Sequence, residues 1–491
     1  MFLLDEQHHT PLFTGVLEHI NKNPIPFHIP GHKQGRAADD TFRTFLGENA
    51  FKMDLINITP LDDLHHPQGI IKHAQELAAK AFGAEHTFFS VQGTSGAIMA
   101  MVMSVCGPGD KIIVPRNVHK SVTAAIIFSG AIPVFIHPEL DKVLGISHGI
   151  TPTSIEQALE AHPEAKAVLV INPTYFGIAA DLEEIVKMVH SYRIPVLVDE
   201  AHGVHIHFHD DLPISAMQAG ADLAATSVHK LGGSLTQSSI LNLQGTLISH
   251  ERVQTVISML TTTSTSYLLL ASLDTARKQL ATKGKELLTK TIELANYARI
   301  QINSLAYLYC AGSELLGSEA INQYDPTKLI ISVKDLGITG YEAELFLREK
   351  HAIEVELSDL YNVLCIITPA DSLSSISKLM EGLNHLEKVK KQSVTDVQVT
   401  VPDIPILALA PRDAFYAETE TVLFQEAAGR ISAESIMIYP PGIPIFIPGE
   451  IITNENISYI QKNIDAGLPV QGLLDETLET IQVIKEYKPF K

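Results

Sequence analysis

The chain has 491 residues, three cysteines and no tryptophan, and its 56 acidic residues against 36 basic ones leave a formal charge of -20. An acid excess of that size repels nucleic-acid phosphates and anionic membranes and concentrates small cations, so a polyanionic partner is excluded. At roughly 150 residues per domain the length predicts about three units, and 45% hydrophobic content is ample for buried cores and argues against disorder.

The opening stretch MFLLDEQHHTPLFTGV carries acid and imidazole where a secretory signal needs a basic start and an apolar segment. No run of roughly 18 apolar residues follows, so a soluble, cytoplasmic protein is expected. Cys106, Cys310 and Cys365 are odd in number and far apart, which speaks against a disulfide framework or a CxxC site and for a reducing compartment.

From about residue 70 helical periodicity alternates with short apolar runs. GIIKHAQELAAKAFG reads as a helix, HTFFSV as a strand, TSGAIMAMVMSVC as a helix and DKIIVP as a strand. The rhythm continues through SVTAAIIFSG, AIPVFI, TSIEQALEAH, AKAVLVI, DLEEIVKMVHSYR, IPVLV and ADLAATSV. Such alternation predicts an α/β domain, a mainly parallel sheet with helices on both faces. A long helix around residues 265–303 leads into a smaller α+β stretch containing KLIISV, YEAELFLREK, IEVELS and VLCIIT. The charged KVKKQSVTDVQ then reads as a linker before a C-terminal segment. The expected division is an N-terminal arm (1–60), a large domain (61–270), a small α+β domain (271–390) and a C-terminal domain (391–491).

Ligands of a parallel sheet gather beyond the carboxyl ends of its strands, so polar residues just after the apolar runs carry most weight. Val91-Gln92-Gly93-Thr94-Ser95-Gly96 lies between a strand and a helix start, where small residues, hydroxyls and helix amides suit a phosphate. An ordinary glycine turn with an N-cap is the competing reading. Asp199 ends IPVLV and can hold a proton on a ring nitrogen, or simply cap the following loop. Lys230, in Thr226-Ser227-Val228-His229-Lys230, follows ADLAA in the same way, and a desolvated amine there suits Schiff-base chemistry. His119, just past IIVP, is placed to stack on a planar ring, although a satisfied histidine is the commoner case.

The joint order decides more than any single place: a Gly-Ser/Thr cup, a strand-end Asp, then Ser-x-His-Lys after a further strand. This resembles the fold-type I enzymes that use pyridoxal 5′-phosphate. Ala225-Thr226-Ser227-Val228-His229-Lys230-Leu231-Gly232-Gly233, running on through Thr236-Gln237-Ser238-Ser239, is similar to the cofactor-lysine signature of the ornithine/lysine/arginine decarboxylase family. Phe27-His28-Ile29-Pro30-Gly31-His32-Lys33, Thr261-Thr262-Thr263-Ser264, Tyr439-Pro440-Pro441-Gly442-Ile443-Pro444 and Pro448-Gly449-Glu450 extend the likeness across almost the whole chain. Within the family the text most resembles the short bacterial members that act on arginine to make agmatine for polyamine synthesis. It lacks the receiver-like wing domain of the longer relatives, so a homodimer, or a tetramer of dimers, is expected in place of their decamer.

That resemblance implies an aspartate-aminotransferase-like fold with the cofactor in the large domain. It makes Lys230 the Schiff-base lysine and pairs Asp199 with the pyridine nitrogen. His119 is expected over the ring and His202 close to it, where long relatives have an aromatic residue. Thr94, Ser95, Ser227 and His229 are expected around the phosphate, with Thr262 reaching the neighbouring subunit's cofactor. The implied reaction releases carbon dioxide from a cationic amino acid, and Lys230 or His229 returns a proton to the α-carbon.

Candidate carboxylates for the substrate's basic end are Glu356, Asp359 and Glu450, with His28 as a further substrate residue; caps or solvated positions are the competing reading for the acids. Arginine's planar guanidinium suits a carboxylate pair better than an ammonium does, and lysine or ornithine is the alternative. A pyridoxal aminotransferase or aldolase-like lyase would share Lys230 and Asp199. His205, His207 and His209 would share one face if extended and so invite a metal. Histidines beside a cofactor need no ion to explain them, so no metal is expected.

Overall fold

The computed structural model describes residues 6–389, 401–438, 442–465, 468 and 470–485. Tyr439, Pro440 and Pro441 of the C-terminal motif and most of the linker lie outside the described residues. The chain folds as two compact units, Met1–Val105 with Val189–Leu288, and Cys106–Met188 with Thr289–Lys491.

In the first unit four strands lie side by side in the order His86–Ser90, Ser239–Leu243, Leu223–Thr226, Val196–Asp199. The last two are parallel, while Ser239–Leu243 runs antiparallel to both of its neighbours. Nearly every strand residue is buried, which is why these segments read as continuous apolar runs. The helix Ile70–Phe82 buries Ile71, Ala74, Leu77, Ala78 and Phe82, the face set by its period.

The alternating reading gave no strand to SSILNL, and here the structure corrects it. Between Thr226 and Ser239 the chain makes only the one-turn helix Val228–Leu231 and a loop. That is too little for a crossover helix, so the chain returns antiparallel and the sheet is mixed.

The N-terminal segment of this unit is held by a buried charge pair. Asp274, on the long helix Tyr267–Ile302, has no solvent exposure. One of its oxygens accepts the backbone N–H groups of Leu12 and Phe13 at 2.9 and 3.2 Å. These belong to the first turn of the helix Pro11–Asn21, whose N-cap Thr10 makes no side-chain cap. Asp274 therefore caps a helix more than 250 positions away in sequence. Its other oxygen accepts from Arg277 at 2.6 Å, and Arg277 also donates to the carbonyls of Gln7 and His9.

In the second unit Ala167–Ile171, Lys111–Pro115 and Ile132–Ile136 are parallel. A separate antiparallel sheet has the order Tyr309–Cys310, Lys328–Ser332, Asn362–Ile366, Leu357–Ser358. Leu329, Ile331 and Val363 of this sheet form one core with Leu347, Leu379 and Leu383 of the helices Gly340–His351 and Leu373–Glu387. The C-terminal region pairs Thr419–Leu423 with Thr480–Ile484, and Ile436–Ile438 with Ile443–Phe446 and Val470–Gln471. Phe424, Ile436, Ile445, Ile460 and Val483 fill its core. Among the described residues no helix is long and apolar enough to cross a membrane.

Removing one partner of a buried pair leaves the other charge uncompensated, at about 3–5 kcal/mol. Asp274→Ala is therefore expected to lower the thermal midpoint by several degrees and to open the first 21 residues to limited proteolysis. The double change Asp274→Leu with Arg277→Met should recover part of the loss. An unchanged midpoint in the single variant would show that the pair carries no stability.

Candidate active site

The first unit brings a carboxylate, an amine and a hydroxyl cluster to the ends of neighbouring strands. Asp199 is the last residue of Val196–Asp199 and is buried. Its Oδ1 accepts the N–H of Ala201 at 3.1 Å. Burial pushes its pKa up to about 6, against the opposing effects of that N–H and of the Lys230 charge. The adjacent Glu200 is also buried and is pushed up to about 7, for the same reason. It accepts the Ala216 N–H at 2.7 Å and the Thr226 hydroxyl at 3.0 Å, tying its loop to the next strand.

Lys230 lies on the one-turn helix that follows Leu223–Thr226, and its Nζ is 2.7 Å from Nε2 of the buried His202. An ammonium can only donate, so in this contact Nε2 accepts and the imidazole proton sits on Nδ1. The neighbouring His229 turns its Nδ1 to the Ser238 carbonyl at 2.8 Å. A carbonyl only accepts, so Nδ1 of that ring carries a proton.

Thr94, buried in the first turn of the helix Gly93–Val105, bonds through Oγ1 to the hydroxyls of Ser227 and Ser239, the latter at 2.8 Å. Gly93 enters the helix at φ +69°, and its N–H donates to the Gln237 carbonyl at 2.9 Å. Half-buried Ser95 occupies the same turn. Hydroxyls converging at a helix N-terminus form a cradle suited to a phosphate. An amine, a carboxylate and a hydroxyl cluster at a helix start, the groups that could hold the aldehyde, ring nitrogen and phosphate of pyridoxal phosphate, are thus carried by residues of one unit.

The remaining expected residues make contacts of their own. Thr262 is exposed in the loop after the helix His250–Leu260, its carbonyl accepting from His65 at 3.1 Å. The half-buried His28 contacts the Ile29 carbonyl, and its own carbonyl accepts from Lys33. His119 belongs to the second unit, where it is exposed and caps the helix Lys120–Ser129, accepting the Ser121 N–H at 3.2 Å.

Two proposed substrate carboxylates are engaged by the fold. Glu450 is 1% exposed and takes both guanidinium N–H groups of Arg116 at 2.6 Å, as well as the Ile447 N–H. Arg116 also donates to the carbonyls of Pro444 and Ile445, so the PGE motif is a clasp on the strand end at Pro115. Asp359 is buried and accepts the N–H groups of Tyr361 and Asn362 at 2.8 and 2.7 Å. Neither presents an open carboxylate in this structure. Glu356 is exposed and accepts from the Tyr175 hydroxyl.

The histidine run is not extended: Ile206–Phe208 forms a 3-10 turn, His207 contacts Ser215 at 2.9 Å, and His209 accepts the Asp211 N–H. The shared face that invited a metal there is therefore absent. Ser239 and Glu200 were the residues missed. Ser239 was quoted only as part of a motif, although Ser238-Ser239 directly precedes the apolar ILNL. Burial of Glu200 beside Asp199 has no signature in the sequence.

The chain matches the family description Orn/Lys/Arg decarboxylase, major domain, over residues 10–375, and the C-terminal domain of the same family over residues 396–473. It is 67% identical to an arginine decarboxylase of Bacillus subtilis, the alignment covering 98% of this chain and 99% of that protein. An arginine decarboxylase of Bacillus anthracis is 66% identical over 98% of this chain and 99% of its own. The fold is shared with the constitutive lysine decarboxylase of E. coli at a TM-score of 0.84 and 23% identity, covering 97% of this chain and 82% of that one.

Burial of Asp199 has a consequence for stability with a definite sign. Its folded pKa of about 6 lies above the ordinary 3.8. The folded state then keeps this proton longer than the unfolded chain. The contribution of Asp199 to stability without cofactor is fully present below about pH 4 and is lost as pH rises through about 6, by on the order of 3 kcal/mol. In cofactor-free protein, Asp199→Asn is expected to flatten the decline of the unfolding midpoint across that window. Equal slopes in the variant and the wild type would contradict the burial argument.

Proposed function

Because this chain belongs to the ornithine/lysine/arginine decarboxylase family, whose members are pyridoxal-phosphate enzymes, we propose that it converts L-arginine to agmatine and carbon dioxide for polyamine synthesis. The near full-length likeness to two bacterial arginine decarboxylases carries the choice of arginine. The lysine decarboxylase, by contrast, is similar in fold at low identity.

When bound, pyridoxal phosphate supplies an electron sink for the pair left behind as the α-carboxylate departs. The chain's own residues set up that chemistry. Lys230 provides the amine that bonds the cofactor's aldehyde, and it must be neutral to do so. His202, at 2.7 Å, is the group placed to take the proton from its ammonium. Asp199 keeps the ring nitrogen protonated. The cost of burying its charge alone is offset by a cation held against it, so its pKa falls once the pair forms. Thr94, Ser95, Ser227 and His229 hold the phosphate, and Ser239 braces Thr94 through their 2.8 Å hydrogen bond.

His119 is assigned to the ring face, where its existing bond to Ser121 fixes the plane of the imidazole. Thr262 is assigned to the partner subunit's site, which makes a homodimer the working unit. Lys230 and His229 are the candidates for returning the proton to the α-carbon. Of the carboxylates first considered for the guanidinium, Glu356 alone is solvent-exposed, and with His28 it remains assigned to the substrate. The acid excess of the chain favours the approach of a cationic amino acid, and the expected location is the cytoplasm.

Replacing Lys230 by Ala is expected to abolish both carbon dioxide release and the visible absorbance of the bound cofactor. A variant that keeps both would overturn the lysine assignment. Parallel assays on L-arginine, L-lysine and L-ornithine test the substrate. kcat/KM for arginine should exceed the others by roughly 10⁴-fold, as expected where a site is built to hydrogen-bond one polar group. Equal or better turnover of lysine would reject arginine.

A further inference from the structure

We propose that His351, Glu381 and His385, in the second unit and none of them assigned to the cofactor, form a binding site for one divalent transition-metal ion of the Zn2+ type. His351 is the last residue of the helix Gly340–His351, which Ala352 ends in a left-handed conformation. Glu381 and His385 lie on the helix Leu373–Glu387, four positions apart and therefore on one face.

Packing brings the two helices together at this point. Leu347 from one and Leu379 and Leu383 from the other enter the same core. Between Glu381 and Leu383 stands Gly382, where a Cβ would fall 2.9 Å from both Leu347 Cδ2 and Ile353 Cδ1 and 3.5 Å from the His351 ring. A Cβ there would have to displace the ends of the Leu347 and Ile353 side chains. Its absence lets the His351 imidazole come up against the turn that carries Glu381 and His385.

The result is a constellation with metal-site dimensions. His385 Nδ1 and His351 Nε2 are 3.2 Å apart, with ring centroids at 4.9 Å and planes at 52°. One ligand atom from each of the three residues lies within 4.8 Å of the others. In a tetrahedral zinc site with bonds of about 2.0–2.1 Å, ligand atoms stand about 3.3 Å apart. The imidazole pair already has that spacing. A hydrogen bond explains the same distance between two nitrogens, but it gives no role to the carboxylate that completes the triangle.

Two imidazoles and a carboxylate select zinc, nickel or copper over magnesium or calcium, which prefer all-oxygen sites. His385 and Glu381 are exposed, so water can complete the coordination. An ion here would cross-link the two helices that cover the antiparallel sheet, and so stabilise the unit by binding its folded state alone.

Calorimetric titration of untagged holoenzyme with Zn2+ alone tests the site, in the wild type and in His351→Asn, His385→Asn and Glu381→Gln. The wild type should bind about one ion per chain at this site with micromolar affinity, and each histidine variant should weaken that binding roughly tenfold or more. Glu381→Gln should weaken it less. Zinc should raise the thermal midpoint of the wild type and not that of the histidine variants, while decarboxylation without zinc stays unchanged in all four proteins. Absence of micromolar binding in the wild type, or wild-type affinity in both histidine variants, would overturn the proposal.

Discussion

A carboxylate buried at the end of a strand is the constraint around which this molecule is organised. Asp199 has lost its solvent, and one N–H and one nearby lysine do not fully replace it, so the proton is held to about pH 6. A group in that condition gains most from a cation placed directly against it. The protonated ring nitrogen of pyridoxal phosphate is such a cation. Under the proposed assignment the same desolvation would favour binding of that ring, and the Lys230 amine lies beside His202 at the end of the adjacent strand.

Elsewhere the same physics acts with its compensation built in. Asp274 and Arg277 are buried together, and the carboxylate's spare capacity caps the helix that begins at Pro11. Arg116 and Glu450 form a two-armed pair whose remaining donors take the carbonyls of Pro444 and Ile445. Each pair joins segments remote in sequence. Removing one member costs far more than the pair contributes net, because the survivor is left charged and dry. A buried carboxylate whose charge is only partly compensated, as at Asp199, and one already paired are thus two outcomes of the same burial.

This explains what could be placed from the sequence and what could not. Asp199 and Lys230 were legible because each directly follows an apolar strand, and a parallel arrangement collects such positions at one edge. Thr94 was legible because a Gly-Thr-Ser run opens a helix there. Glu450 and Asp359 show the limit of local reading, because an acid near a glycine or a loop looks the same whether it meets a substrate, a guanidinium 334 positions away as Glu450 does, or the N–H groups of its own turn as Asp359 does. The histidine run, where no metal was expected, shows a different limit. A shared face requires an extended chain, and the backbone turned instead at Ile206–Phe208. Ser239–Leu243 escaped notice because its antiparallel direction follows from the short path after Leu231, which the alternation of apolar runs does not reveal.

By itself the sequence determined the α/β alternation, the strand-end chemistry and the family signature, since all three rest on local order: periodicity, turn residues, and which polar group follows which strand. Tertiary structure alone decided which acids are paired, where the hydroxyls of Thr94, Ser227 and Ser239 converge, and that His351 meets Glu381 and His385. Those facts depend on burial and on contacts between distant segments. Both the cost of a charge and the reach of a hydrogen bond are set by neighbours in space, whatever their distance along the chain.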